Sequence, residues 1–148
     1  MTTTRTDDFA TAVAEVGRAA SEFVGGDPQP YTSRWANGPD VTIFGAWGDY
    51  EHGWDEVGPR LDWAAARFVA GKTEPEILVM ETSGDLGYTV ALERGHAHLA
   101  GQPTPAPMLL RVTHVYRRVD GVWKLVHRHA DPITAKTAAA TVISPESA

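Results

Sequence analysis

Histidine, whose side chain titrates nearest to neutral pH, is concentrated between positions 96 and 129, where five of the six histidines lie. The dipeptide Asp120-Gly121 predicts a two-residue hairpin turn, which pairs Val119 with Val122. Continued along the strands, this register places His114 opposite His127, on one face of the sheet. We interpret the two as a possible acid and base pair. The alternative is a pair of half-buried histidines bonded to the backbone.

His129 and Asp131 lie two positions apart near the end of the same predicted strand, and therefore on one face. A carboxylate beside a histidine can select its tautomer and raise its basicity. The alternative is that Asp131 and the following proline only end the strand. The candidate catalytic residues are therefore His114, His129 and Asp131.

The pair His96 and His98 has a spacing that can serve a metal ion. A zinc site needs three or four ligands converging on one ion. His96 and His129 are predicted on opposite sides of Val112, and two strand spacings of about 4.8 Å hold them about 10 Å apart. We expect no metal site, and no organic cofactor because a glycine-rich phosphate loop is lacking.

Aromatic side chains gather around the glycine-rich stretch 45–53. A loop with so much glycine cannot bury all of its aromatics, so Trp47 and Tyr50 are predicted to form a rim over a pocket. The alternatives are a dimer contact for these two and helix packing for Trp54. Tyr88 is predicted to face Glu81 across a hairpin, where a solvated hairpin end is the alternative. The predicted substrate-binding residues are Trp47, Tyr50, Trp54, Tyr88, His96 and His127.

The elements that position these residues are helices first and strands afterwards. Apolar stripes at helical spacing predict helices over 7–24 and from 54 to Gly71, the second with a kink or restart at Pro59, and a short helix carrying Tyr31 and Trp35. From residue 76 the apolar period changes to two. The predicted strands are 41–44, 76–81, 86–99, 108–119 and 122–131. This order indicates an α+β fold.

Strands of 10 to 14 residues exceed the usual length and should coil into a curved antiparallel sheet wrapped around the helices. The register places an apolar and histidine-rich set of residues on its concave face. A single bulge would move part of this set to the other face. An apolar funnel that closes on a few polar groups is typical of a ligand site. The set is Leu110, Val112, His114, Tyr116, Trp123, Leu125, His127, His129 and Asp131.

Length, charge and composition indicate the number of domains and exclude some classes of partner. The 148 residues fit one domain, assigned to 1–131, followed by a loose alanine- and threonine-rich tail at 132–148. The net charge of −6 and the lack of a basic patch argue against nucleic-acid binding. There is no cysteine, no apolar signal segment and no apolar run long enough to span a bilayer. We expect a cytoplasmic protein that does not bind membranes.

The segment from Arg111 to His129 resembles the C-terminal strand pair of SnoaL-like proteins, in the nuclear transport factor 2 and ketosteroid isomerase superfamily. The pattern Asp-Gly-x-Trp-x-x-Val-His-x-His, from Asp120 to His129, is similar to that of the association domain of calcium/calmodulin-dependent protein kinase II. The resemblance implies a cone-shaped α+β fold and a homodimer packed through the sheet.

The catalytic residues of ketosteroid isomerases have no counterpart at the matching positions. The oxyanion tyrosine would fall at Ala19 and the base aspartate at Phe44. The second, protonated aspartate would fall near Thr113 or His114. A standard steroid isomerase mechanism is therefore not expected.

Two functions remain open from the sequence. The first is an enzyme that isomerises, dehydrates or cyclises a small, largely apolar carbonyl or hydroxylated compound by proton transfer, favoured by the inward histidines and the aromatic rim. The second is a ligand-binding or oligomerisation module without turnover, favoured by the missing isomerase residues.

Overall fold

The computed structural model describes residues 5–142. Helices precede the long strands, as the sequence predicts, and the α+β class is confirmed. In chain order the elements are α1 Arg5–Val24, α2 Gln29–Thr32, β1 Thr42–Phe44, β2 Glu51–His52, α3 Trp54–Ala65, β3 Phe68–Ser83, β4 Leu86–Leu99, β5 Ala106–Val119, β6 Val122–Pro132 and α4 Ala139–Val142.

The described strands form one curved, open sheet in the order β2-β1-β6-β5-β4-β3. Strands β3 to β6 make an antiparallel meander. β1 pairs with β6 in parallel, and β2 pairs with β1 antiparallel. The meander supplies the concave face, and the helices cover it.

The core lies between α1 and this concave face. The ring of Phe9 meets the rings of Tyr116 and Trp123 edge-on, with centroids 5.0 and 4.9 Å apart. Further along the same side of α1, Val13 and Val16 are also buried. Full burial of an aromatic or aliphatic side chain contributes about 1.5–3 kcal/mol. The apolar stripe that predicts the helix is therefore also what attaches it to the sheet.

Strand β3 begins earlier and α3 ends earlier than the sequence predicts. We expected the helix to continue to Gly71 and the strand to begin at residue 76, but α3 ends at Ala65 and β3 begins at Phe68. β3 lies at the edge of the sheet, so much of its length is exposed and lacks an alternating apolar pattern. An edge strand also tolerates Pro75. Two extra residues in β3, Val69 and Leu78, interrupt its register with β4.

Pro59 lies inside α3 without splitting it. At the sixth position of the helix it removes a single bond between residues i and i−4. The sequence predicted a kink or a restart here; the restart is wrong, because α3 is one continuous helix from Trp54 to Ala65.

The β5–β6 register follows the prediction near the turn and departs from it afterwards. Val119 pairs with Val122 and Tyr116 with Leu125, but Val115 pairs with His127, so Val126 is an extra, bulged residue. Beyond the bulge, His114 faces Arg128 and not His127. A shift by one residue exchanges the two faces of a strand.

The consequence is a correction to the concave face predicted above. His127, His129 and Asp131 lie on the outer face, while Arg128 and Ala130 turn inward. Val112, His114, Tyr116, Trp123 and Leu125 are buried on the concave side as expected.

The chain after β6 carries little structure. Residues 133–138 have no regular structure, and the short helix α4 is exposed. The division into a domain and a tail stays a prediction, and residues 143–148 lie outside the described part of the chain. None of the helices within residues 5–142 is long and apolar enough to cross a membrane.

Candidate functional site

A cavity of about 500 Å³ opens between the helices, the β1–β2 loop and the concave face of the sheet. This volume falls in the range of about 300–1,000 Å³ that is usual for small-molecule pockets. Most of its wall is apolar, including Phe23, Leu61, Phe68, Met108, Leu110 and Ala130. Its polar groups are Tyr31, Glu93 and Arg128 at the buried end, and Arg60, Gln102 and Thr104 at the exposed end.

Tyr31 brings a hydroxyl to the buried end of the cavity. It stands on the short helix α2, whose first turn contains Pro30, and it is 3% exposed. Its hydroxyl oxygen lies 2.6 Å from Nε2 of His114, which projects from β5 and is 6% exposed. His114 itself lies behind Tyr31 and borders a second, smaller cavity of about 20 Å³.

Glu93 and Arg128 form a buried ion pair beside these two residues. Nη1 and Nη2 of Arg128 donate to the two carboxylate oxygens of Glu93, at 2.8 and 2.9 Å. The side chain of Arg128 is 14% exposed and that of Glu93 is 7% exposed. This bidentate geometry is the strongest arrangement that an arginine and a carboxylate can make.

The position of Arg128 also decides the tautomer of His114. Nη1 of Arg128 lies 3.3 Å from Nε2 of His114, and a guanidinium can only donate hydrogen bonds. Nε2 is therefore an acceptor and the ring proton is on Nδ1. It follows that the hydroxyl of Tyr31 donates to His114.

Burial keeps both partners of this hydrogen bond neutral. Loss of solvent, reinforced by the charge of Arg128, lowers the pKa of His114 to about 3. Burial likewise raises the pKa of Tyr31 to about 12. At neutral pH the pair is a phenol and an uncharged imidazole.

The neighbouring pair is charged. Burial by itself would raise the pKa of Glu93, but the charge and hydrogen bonds of Arg128 outweigh it and hold that pKa below its ordinary value. Burial would lower the pKa of Arg128, and Glu93 reverses this and raises it. The buried end thus contains one ionised carboxylate and one guanidinium that cancel each other.

Residues 13–134 match the model of the SnoaL-like domain. The chain belongs to the SnoaL-like family. The resemblance seen in the last two strands is thereby confirmed over most of the chain.

Solved structures give the same fold for this SnoaL-like protein. A proposed dehydratase of the nuclear transport factor 2-like family from Streptomyces avermitilis is 20% identical, with a TM-score of 0.72 over 88% of this chain and 96% of the other. A ketosteroid isomerase-like protein from Erwinia carotovora atroseptica is 15% identical, with a TM-score of 0.72 over 90% and 99%. A nuclear transport factor 2-like superfamily protein from Salmonella enterica serovar Typhimurium is 16% identical, with a TM-score of 0.69 over 88% and 96%. No curated protein matches the sequence.

Of the three residues predicted as catalytic, only His114 lies on the concave side of the sheet, and it stands behind Tyr31, outside the wall of the large cavity. Nε2 of His129 lies 3.7 Å from Oδ2 of Asp131, so the two are neighbours as expected, but on the outer face. Asp131 is held there by Arg111, through hydrogen bonds of 2.7 and 3.0 Å. The bulge at Val126 separates this pair from His114.

The residues predicted to bind substrate are also divided. Trp47 lines the cavity, 47% exposed at its open end. Trp54 packs against the core beside Gly58 and is outside the cavity lining. The other four are placed elsewhere: Tyr50 is exposed against Phe44, Tyr88 is exposed opposite Glu81 and Val115, His96 is exposed opposite Pro107, and His127 bonds Thr42 on the outer face.

Three residues of the buried end were not among the sequence candidates. Glu93 lies an even number of residues from the buried Thr89, Ala91 and Ala97, and therefore on the same face of β4. This alternation could have predicted a carboxylate on the concave face. Tyr31 had a predicted helix but no predicted role. No feature of the sequence pointed to Arg128, because it faces inward only as a result of the bulge at Val126. Among residues 5–142 no group of three or more histidine, aspartate or glutamate side chains is placed to hold a metal ion.

Proposed function

We propose that this SnoaL-like protein is an enzyme that moves a proton within a small, largely apolar carbonyl or hydroxylated compound, without a cofactor. One observation carries the proposal: an ionised carboxylate, Glu93, and a neutral hydroxyl, Tyr31, line the same buried end of a largely apolar cavity. Two groups whose surroundings push their pKa values apart are suited to act as base and acid.

Glu93 is the proposed base. Its carboxylate oxygens each accept a hydrogen bond from Arg128, and each retains a second lone pair. In an isomerisation, Glu93 takes a proton from the carbon next to the carbonyl, and the electron pair moves to the carbonyl oxygen. The same proton then returns to a different carbon, which restores the carboxylate.

Tyr31 is the proposed donor to the oxygen on which charge develops. Its hydrogen, which His114 accepts in the free protein, turns to the ligand oxygen when that oxygen becomes negative. Nε2 of His114 is not left unpaired, because Nη1 of Arg128 lies 3.3 Å away and can donate to it. The exchange of one donor for another keeps the cost of releasing Tyr31 small.

In this proposal His114 orients Tyr31 and is not the base that the sequence predicts. A pKa of about 3 means that the imidazole binds a proton weakly at neutral pH. With Nε2 facing two donors, its lone pair is also directed away from the cavity contents.

A second candidate is a binding module without turnover, and one feature favours it. Both oxygens of Glu93 are already bonded to Arg128, and the lowered pKa of Glu93 weakens it as a base. The two candidates differ in what happens to the protons of a bound ketone.

Proton abstraction can be measured before the substrate is known. A thermal-shift screen of apolar ketones, lactones and hydroxy acids identifies compounds that bind the native state and so raise its melting temperature. For those that bind, and for 1-tetralone as a standard probe, exchange of the protons next to the carbonyl is followed by NMR in heavy water. An enzyme accelerates this exchange, whereas a binding module raises the melting temperature and leaves exchange at the buffer rate.

Variants assign the roles. Glu93→Gln should abolish exchange, and Tyr31→Phe should slow it by about 10²–10³-fold, the usual effect of one oxyanion donor. Glu76→Gln removes a carboxylate that pairs with Arg94 on the exposed surface and serves as the matched control. Exchange that survives in Glu93→Gln would contradict the role of Glu93.

A further inference from the structure

Arg60 is the second arginine of the cavity wall, and its pairing differs from that of Arg128. It lies on α3 with a side chain 29% exposed, at the open end of the cavity. The nearest carboxylate oxygen, Oε1 of Glu51, is 3.9 Å from its Nε, beyond hydrogen-bond distance, and the guanidinium makes no hydrogen bond to any residue in 5–142. The donors of Arg60 are thus free to bind a ligand.

Glu51 is a poor partner for Arg60. Its Oε1 is buried without a hydrogen-bond partner among the described residues. Burial raises the pKa of Glu51 despite the nearby guanidinium, so the attraction between the two does not offset the loss of solvent.

Aromatic packing holds the guanidinium of Arg60 in place. Its carbon Cζ lies 3.9 Å from the ring centroid of Trp63, and that ring meets Trp47 edge-on at 5.6 Å. Stacking occupies the flat face of a guanidinium and leaves its edge free for a planar anion. Arg67 contacts the same Trp63 ring at 4.7 Å but is outside the cavity lining.

The charges of the wall do not cancel at the open end. Its charged groups are Glu93, Arg128 and Arg60, and the first two neutralise each other at the buried end. Arg60 is therefore the charged group of the wall that no other wall residue neutralises, and its neighbour Glu51, 3.9 Å away, lies outside the cavity lining. Between the two ends the wall is apolar.

We propose that the ligand of this cavity is an apolar monocarboxylate, whose ring or chain fills the cavity and whose carboxylate is bound by the edge of the Arg60 guanidinium. This deepens the proposed function, on which it rests for the carbonyl or hydroxyl that reaches Tyr31. A charge-assisted bond at a partly buried site contributes to affinity, and an apolar body supplies the rest.

The test compares probes that differ only in charge. 2-Naphthoate and 4-phenylbutanoate are titrated into the full chain by calorimetry, beside 2-naphthamide and 4-phenylbutanamide. We expect at least one carboxylate to bind about tenfold or more tightly than its amide, the effect of one charged hydrogen bond. The advantage should shrink as salt is added.

Arg60→Gln should remove the advantage of the carboxylate and leave the affinity for the amide within about twofold. Arg60→Lys should restore part of it, because the charge returns without the planar fork. Arg67→Gln, which alters the other side of the same Trp63, should change neither affinity. Melting temperatures of the three variants confirm that each is folded.

Three outcomes would overturn this inference: equal affinity for acid and amide, equal losses in Arg60→Gln and Arg67→Gln, or no binding of either acid at millimolar concentration. None of them depends on turnover. If the carboxylates bind through Arg60 but no ketone exchanges its protons, the anion site stands and the proposed enzymatic function fails.

Discussion

Arg128 on β6 and Glu93 on β4 are joined by two hydrogen bonds that cross the strand lying between them, β5. Sheet neighbours hold each other through the backbone, whereas this pair holds two strands that are not neighbours. It does so at the buried end of the cavity, where water cannot readily solvate either charge if its partner is lost.

Removal of one partner should therefore be far more costly than removal of both. We expect Glu93→Leu or Arg128→Leu alone to lower the free energy of unfolding by about 3–5 kcal/mol, because each leaves a buried charge unpaired. The double variant should lose much less than the sum of the two. Urea unfolding of the four proteins measures the coupling, and additive losses would argue against it. Arg94→Ala, which breaks an exposed ion pair with Glu76, should cost no more than about 1 kcal/mol.

Stability should fall as the solution becomes acidic, and His114 should account for much of the fall. Its pKa is about 3 in the fold against 6.5 ordinarily, so below pH 6.5 the unfolded chain takes up a proton that the native protein does not. The free energy of unfolding then decreases toward low pH by up to about 1.4 kcal/mol per pH unit.

Urea unfolding between pH 7 and pH 5 tests this, above the range in which carboxylates titrate. His114→Gln should show a flatter dependence than the wild type. His127, whose pKa burial also lowers, lies half-buried on the outer face, and His127→Gln should flatten the dependence less. Parallel curves for the wild type and His114→Gln would contradict the assignment.

Gly95 should tolerate no side chain. It lies on β4 opposite Thr73, and a Cβ there would overlap the carbonyl oxygen of Lys72 on β3. We expect Gly95→Ala to destabilise the fold by about 2 kcal/mol or more, the range of a forced backbone shift. Gly45→Ala, where a Cβ meets no atom within 4 Å, is the matched control and should change the melting temperature little. Equal melting temperatures for the two variants would show that β3 moves freely.

The outer face of the sheet is the expected surface of a homodimer. Val79 and Tyr88 are 38% and 42% exposed there, and Tyr88 lies opposite Val115. An apolar patch with polar surroundings is typical of such an interface. Light scattering at micromolar concentration should give twice the mass of the chain. Tyr88→Glu should shift the mass toward that of a monomer, and Val119→Glu, at the β5–β6 hairpin, should not. A wild-type monomer would exclude this dimer.

The sequence predicts those features that depend on local periodicity. The stripe of Phe9, Val13 and Val16 predicts α1, and the Asp120-Gly121 turn predicts the pairing of β5 with β6 as far as Tyr116 and Leu125. Both signals lie within a few residues of what they specify.

The site depends on a longer-range choice. Whether the extra residue of a curved strand lies at Val126 or at a neighbouring position is decided by the twist of the whole sheet, and the local sequence carries no mark of it. That one residue determines that Arg128, and not His127 or His129, reaches the cavity. The predicted inward positions of His127 and His129 on β6 were therefore wrong, whereas His114, on β5, which has no extra residue there, is buried as expected.

Strand β3 is the outermost strand of the sheet, and an edge of 16 residues is long enough to recruit a strand from another molecule, although the N–H of Thr73 already donates to Ser21 of α1. Pro75 offers no N–H at the middle of this edge, and the extra residue Leu78 bends it a few positions later. A strand of another molecule could therefore form backbone hydrogen bonds only with short segments of β3. Pro75 and the extra residue Leu78 thus make β3 a poor template for edge-to-edge aggregation when the protein is concentrated.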